Sequence, residues 1–163
     1  MKKLLAILLT AALLLSCSAA FAETTDATTS ASVADYYGDF ALAGDDLMNA
    51  INSVSGFYLV CTENPDGSAN AAFFIYGCVK NGDKYYLTMG LAENQSKQNL
   101  LANGEGMAVY AANPTGAEGA KPYAVSGARI YFTLVTDEAL LTVLNPENKT
   151  YLFCEITAVR PLG

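Results

Sequence analysis

Apolar residues fall in short runs along this chain, and the runs are separated by Gly, Pro, Asn and Asp. That rhythm is one of strands and turns rather than long helices. Behind Asp45-Asp46, however, Leu47, Met48, Ile51 and Val54 recur at helical spacing. Acidic residues suit a helix N-terminus through its dipole, so a helix is predicted over 45–54, ended by Gly56. Phe57 to Thr62 then reads as a strand. Asn64-Pro65-Asp66-Gly67 is a strong turn signal, Pro fixing φ and Gly supplying the positive φ. Asn70 to Lys80 resumes as a second strand, which makes residues 57–80 a β-hairpin. Asn81-Gly82-Asp83 turns the chain again, into a third strand from Lys84 to Met89. Asn94 caps a short helix from about Gln95 to Ala102, and Asn103-Gly104 stops it. A fourth strand runs from Gly106 to Ala112, and Asn113-Pro114 opens a loop. The long fifth strand covers Tyr123 to Val135, with Gly127 as a bend or bulge. Asp137-Glu138 opens a helix that reaches Leu144, and Thr150 to Val159 is the sixth strand.

Six strands with short turns and two to three short helices predict a mainly β domain, an antiparallel barrel or sandwich. Phe73-Phe74-Ile75-Tyr76 and Tyr85-Tyr86-Leu87 show no clean alternation, so the strands are apolar on both faces. A small barrel normally keeps one polar face. The outer surface is therefore expected to be covered, by a helix or by a second copy, and a homodimer is the expectation.

The ends carry different information. Met1-Lys2-Lys3, an apolar run from Leu4 to Leu15 and small residues up to Ala20-Phe21-Ala22 have the form of a secretory signal over residues 1–22. The apolar run is too short for a comfortable membrane span of ~20 residues. Leu14-Leu15-Ser16-Cys17 offers a second reading, a lipobox that would leave Cys17 lipidated. Residues 23–34, rich in Thr, Ser, Ala and Asp, read as a flexible tether, and the domain is expected over 35–163.

Composition narrows the chemistry. The chain of 163 residues has no His, which excludes Ser-His-Asp or Cys-His catalysis and His-ligated zinc. Cleavage after Ala22 removes two of the 9 basic residues and none of the 16 acidic ones, leaving a net charge of −9. Nucleic acid is excluded as a partner, because neutralising its backbone needs clustered Lys and Arg. Cys61, Cys78 and Cys154 lie in apolar, strand-like runs and read as small buried hydrophobes, with at least one free thiol among them.

A constellation of segments then stands out in order. Thr88-Met89-Gly90 ends the third strand, Ser96-Lys97-Gln98-Asn99-Leu100 with Asn103 forms the short helix, Met107-Ala108-Val109-Tyr110 follows, and Val125-Ser126-Gly127-Ala128-Arg129 opens the fifth strand. Together they resemble the pyridoxamine 5′-phosphate oxidase-like FMN-binding split barrels, over about Leu47 to Val159. The resemblance implies a six-stranded antiparallel split barrel that binds FMN at the interface of a homodimer. It implies that Ser96 and Lys97 contact the phosphate, that Thr88 and Met89 approach the flavin from the other side, and that the strand containing Ala72 and Phe73 lies along the ring. The physics of the first pair agrees, since free N–H groups and the dipole of a helix N-terminus favour an anion. Phe73, Phe74 and Tyr76 can also be read as core or subunit packing, and Arg129 can pair with an acid or face a ligand. No His or Arg cluster suits a phosphorylated pyridoxal-type substrate. The expected function is that of an exported FMN-binding oxidoreductase, moving electrons or hydride between the flavin and a small-molecule substrate. The alternatives are a non-catalytic flavin or small-ligand binding module and a structural domain that keeps only the scaffold.

Overall fold

The computed structural model describes residues 40–112 and 125–162. The signal, the tether and most of the loop after Asn113 lie outside the described residues. Seven strands form one sheet: β1 (Phe57–Glu63), β2 (Ala69–Phe73), β3 (Tyr76–Asn81), β4 (Lys84–Met89), β5 (Glu105–Ala112), β6 (Ser126–Leu134) and β7 (Leu152–Arg160). Three helices accompany them: α1 (Gly44–Asn52), α2 (Gln95–Asn103) and α3 (Glu138–Leu144). Every strand pairing is antiparallel, in the order β2-β1-β5-β6-β7-β4-β3.

The expectation of six strands is corrected here. The second strand breaks at Phe74-Ile75, so that β2 pairs with β1 and β3 pairs with β4, at the two opposite edges of the sheet. Laid flat, seven strands would separate those edges by about 29 Å. Phe73 and Tyr76 are three residues apart, which spans at most about 10 Å. The sheet must therefore curl until its edges meet, and the break marks where one bent segment passes from one edge to the other.

The turns form as their residues dictate. Gly67 takes φ +80° and donates its N–H to the Asn64 carbonyl at 2.9 Å, and the Asp66 carboxylate accepts from the Ser68 backbone and hydroxyl. Gly82 takes φ +60° between Asn81 and Lys84, which face each other across the β3–β4 ladder. Gly104 ends α2 at φ +74°. At Gly127 the expected bulge is replaced by something else. The register shift lies further along, where Tyr131 and Phe132 face Ala158 and Ile156. Gly127 instead serves close approach: a Cβ there would sit 2.0 Å from the Tyr110 carbonyl oxygen, and its own carbonyl accepts from Leu42 N–H at 3.0 Å.

The core lies inside the curl. Tyr58, Val60, Ala108, Tyr110, Ile130 and Phe132 alternate inward from β1, β5 and β6, with Leu87, Met89 and Cys154 from β4 and β7. Tyr58 meets Tyr76 and Tyr110 edge to face, with ring centroids 5.0 and 5.3 Å apart. A buried hydroxyl needs a partner. Tyr58 Oη donates to the Ile51 carbonyl at 2.6 Å, and Tyr76 Oη to the Val109 carbonyl at 2.8 Å. Leu47 and Ile51 of α1 and Leu100 of α2 complete this core. Asn52, at the end of α1, exchanges hydrogen bonds with both the N–H and the carbonyl of Cys78.

Candidate functional site

The segment expected to meet a phosphate is the first turn of α2. Asn94 caps it by accepting from the Lys97 N–H at 3.0 Å. Ser96 is buried, and its hydroxyl accepts from Asn70 Nδ2 at 2.8 Å. The same amide donates to Thr62 Oγ1 at 3.0 Å. Asn99, buried one turn on, donates to Thr62 Oγ1 at 3.0 Å and to Asn64 Oδ1 at 2.9 Å, and accepts from Gln95 Nε2 at 2.7 Å. Asn103 Nδ2 reaches the Glu63 carbonyl at 2.9 Å. Ser96, Asn99 and Asn103 thus fasten α2 across the β1–β2 hairpin while Leu100 enters the core. Among the described residues every buried side-chain nitrogen and oxygen has a partner. The Lys97 ammonium pairs with Glu93, a highly exposed carboxylate one turn back. Exposed pairs of this kind are weak and easily exchanged.

The other expected site residues lie elsewhere. On β2, Ala72 faces inward opposite Val60, and Phe73 faces outward opposite Leu59 with 72% of its surface exposed. On β4, Met89 is fully buried in the core, which leaves only its backbone for a ligand. Thr88 faces outward between Gly77 and Phe153. It lines a cavity of about 210 Å³ with Val79, Leu144, Tyr151 and Phe153. Ala72 and Phe73 thus lie on the hairpin edge, Ser96 and Lys97 on the α2 turn, Thr88 on the surface beside α3 and Met89 in the core.

The sequence shows that the outer face is apolar, but not which residues stand together on it. Strand register sets it out in cross-strand rows. Phe73, Leu59, Val109, Arg129 and Arg160 form one row; Ala71, Cys61, Met107, Tyr131 and Ala158 form the next. Ala69, Glu63, Glu105 and Thr133 form an acidic rim. Outward residues on the β3-β4-β7 half, Tyr86 and Phe153, are buried, and the cavity beside them is walled by Leu144 and the turn after α3. No described element covers the β2-β1-β5-β6 half in the same way, and Phe57, Phe73 and Ile75 stand about 70% exposed there or beside it. A groove of about 480 Å³ runs over this half, with Cys61, Met107 and Tyr131 in its floor and Glu63 and Glu105 on its wall. That volume is in the range of small-molecule sites. The period-two apolar positions 57/59/61 and 107/109/111 are the signal available in sequence, but register decides which strands they join.

The thiols are poor nucleophiles. Burial pushes the Cys61 thiol up, Cys78 up to about 11 and Cys154 up to about 12. All three are free rather than disulfide-bonded. Among the described residues no group of His, Cys, Asp and Glu could hold a metal ion.

No protein-family model matches the chain, and no curated protein matches it in sequence. Solved structures do match. One is an FMN-binding protein from Syntrophomonas wolfei subsp. wolfei, 15% identical, covering 72% of this chain and 84% of its own, with a TM-score of 0.52. A conserved hypothetical protein from Mycobacterium tuberculosis is 14% identical over 74% of this chain and 82% of its own, with a TM-score of 0.46. The heme storage protein of Vibrio cholerae is 11% identical over 75% and 92%, with a TM-score of 0.39. The first establishes the fold: at that level, the resemblance of this chain to the FMN-binding split barrels holds.

Proposed function

We propose that this chain binds FMN on the uncovered half of its sheet, as a homodimer, and works as an exported flavoprotein. The observation that carries the reading is the groove on an apolar, uncovered sheet face, in a fold shared with an FMN-binding protein. The residues fit the group. A flat aromatic ring matches a surface floored by Met107 and Tyr131 and flanked by Leu59 and Val109. The phosphate requires a cation and N–H donors, and Lys97, paired with the exposed Glu93, sits on the first turn of α2. Ser96 accepts from Asn70, the strand residue next to Ala69 of the groove lining. Bound flavin supplies the redox chemistry itself, so the protein needs to hold and shield it and requires no side-chain acid or base. A second copy is the natural cover for an apolar sheet face, and an isologous pairing would set the two grooves beside one another.

The absorbance spectrum of purified protein, before and after incubation with FMN, tests the reading. A flavin band that remains after gel filtration is expected; protein that takes up none overturns it. Lys97→Ala should weaken FMN by roughly ten- to a hundred-fold, since hydrogen bonds to charged groups contribute ~1.5–3 kcal/mol. Riboflavin, without a phosphate, should bind the variant almost as the parent. Lys84→Ala, which loses only a surface pair with Glu155, should change neither. Light scattering that finds a monomer at micromolar concentration would remove the dimer from the proposal. Export is tested by the N-terminus of the released protein: Glu23 after A-x-A cleavage, or a lipidated Cys17.

A further inference from the structure

The chain has only two arginines, and the fold sets them side by side. Arg129 on β6 and Arg160 on β7 are directly opposite in the ladder, so both project from the outer face. Cross-strand neighbours stand about 5 Å apart, and like charges so placed destabilise a sheet unless something answers them. Among the described residues no carboxylate lies within 4.0 Å of either guanidinium, whereas Lys80, Lys84, Lys97 and Lys149 each have an acidic partner. The partners that the arginines do have are neutral. Arg129 Nε donates to the Pro161 carbonyl at 2.9 Å, which fixes the plane of its fork. The Arg160 guanidinium lies over the Tyr131 ring at 5.5 Å, and Tyr131 is part of the groove floor. Both forks are thus oriented, and neither meets a carboxylate among the described residues.

We infer that Arg129 and Arg160 form an anion clamp, taking the phosphate or carboxylate group of a small ligand whose apolar body lies on Val109, Met107 and Tyr131. Two arginine forks match the planar, multiply accepting geometry of an oxyanion better than two lysines would. The row containing the clamp continues through Val109 and Leu59 to Phe73, so an amphiphilic ligand finds charge at one end and apolar surface at the other. The clamp does not depend on the flavin reading. The anion is either FMN's own phosphate, which then lies here and not at Lys97, or that of a separate ligand, and the two have different signatures.

The test uses thermal unfolding of the full mature chain with sodium phosphate at 10 mM, against sodium chloride of equal ionic strength. For a millimolar site, the parent should gain about 3–6 °C in phosphate. Arg129→Gln and Arg160→Gln should lose most of that gain while keeping, or slightly raising, the midpoint in chloride, because each removes a like-charge contact. Arg129→Lys should recover only part of it. An equal gain in parent and variants, or no gain in the parent, overturns the clamp. So does a lower molecular mass for the variants without any phosphate response, which assigns the pair to a subunit contact. Titrations with FMN and riboflavin then separate the sources. Phosphate that competes with FMN, together with loss of FMN but not riboflavin binding in Arg160→Gln, assigns the clamp to the flavin's phosphate. Simultaneous binding of FMN and phosphate assigns it to a second ligand. Absence of FMN uptake by the parent would sink the flavin reading and leave the phosphate result standing by itself.

Discussion

Glycines that look equivalent in the sequence have very different tasks. Gly104 has a positive φ of +74° but open space around it, so Gly104→Ala should cost only the strain of the left-handed conformation, about 1 kcal/mol. Gly127 combines φ +154° with the Tyr110 carbonyl oxygen 2.0 Å from where an alanine methyl would sit, so Gly127→Ala should cost about 3 kcal/mol or more. Urea denaturation of the two variants measures the contrast. Val54 is the opposite case, a β-branched residue at φ +53° with 61% of its surface exposed. Val54→Asn should raise the unfolding free energy measured in urea by about 0.5–1 kcal/mol, because Asn tolerates the left-handed region and little burial is lost. Gly104 is legible in the sequence because a helix stop is a local event. Gly127 is visible there as an interruption, but its reason is not, since Tyr110 and Leu42 reach it from distant parts of the chain.

Helix and turn positions are the most legible elements, for the same reason of locality. The expected helices at 45–54, 95–102 and 138–144 correspond to α1, α2 and α3 within about two residues, except where α1 stops at Asn52 and runs into the strained Val54. Residues 70–80 read as one continuous strand because Phe73-Phe74-Ile75-Tyr76 carries no turn residue; only pairing with two different partners divides it. The Ser-Lys-x-Asn-Leu segment points to ligand chemistry in the sequence, yet its Ser96 and Asn99, with Asn103, hold α2 to the hairpin. Asn99→Ala should therefore destabilise the fold by about 2–3 kcal/mol, since it leaves Asn64 Oδ1 and Gln95 Nε2 without their partner and Thr62 with Asn70 alone. A denaturation midpoint unchanged from the parent would show that the network contributes nothing to docking the helix.

For the whole molecule, the buried thiols set a limit on the alkaline side. Their folded pKa values lie above the ordinary 9.0, at about 11 for Cys78 and about 12 for Cys154, both through burial. The neutral thiol is the form the fold prefers, so this contribution is intact below pH 9 and is lost as pH rises through 9 toward 12. The buried hydroxyls of Tyr58 and Tyr76 are shifted in the same direction. Stability measured between pH 8 and 11 should fall, and should fall less steeply in Cys78→Ala/Cys154→Ala. At pH 8 a maleimide should label Cys61 in the native chain, and the other two only after unfolding, as counted by mass spectrometry. Protection of Cys61 as well, at concentrations where light scattering finds a dimer, would put a second copy over the groove.

The bent segment at Phe74-Ile75 makes this a molecule that can be divided. Ile75 is 71% exposed, and a cut there leaves every ladder whole: β2 stays with β1 on one piece, β3 with β4 on the other. The joint between the pieces is then the β1–β5 ladder, the hydrogen bonds of α2 to the hairpin, and the bonds of the α1 segment to the rest: Asn52 to Cys78, Asp45 to Lys80 and Leu42 to Gly127. A chain nicked after Phe74 should elute as one particle and separate only in denaturant. The two fragments, made apart, should find each other on mixing and restore the edge-to-face tyrosine cluster, read by near-ultraviolet circular dichroism.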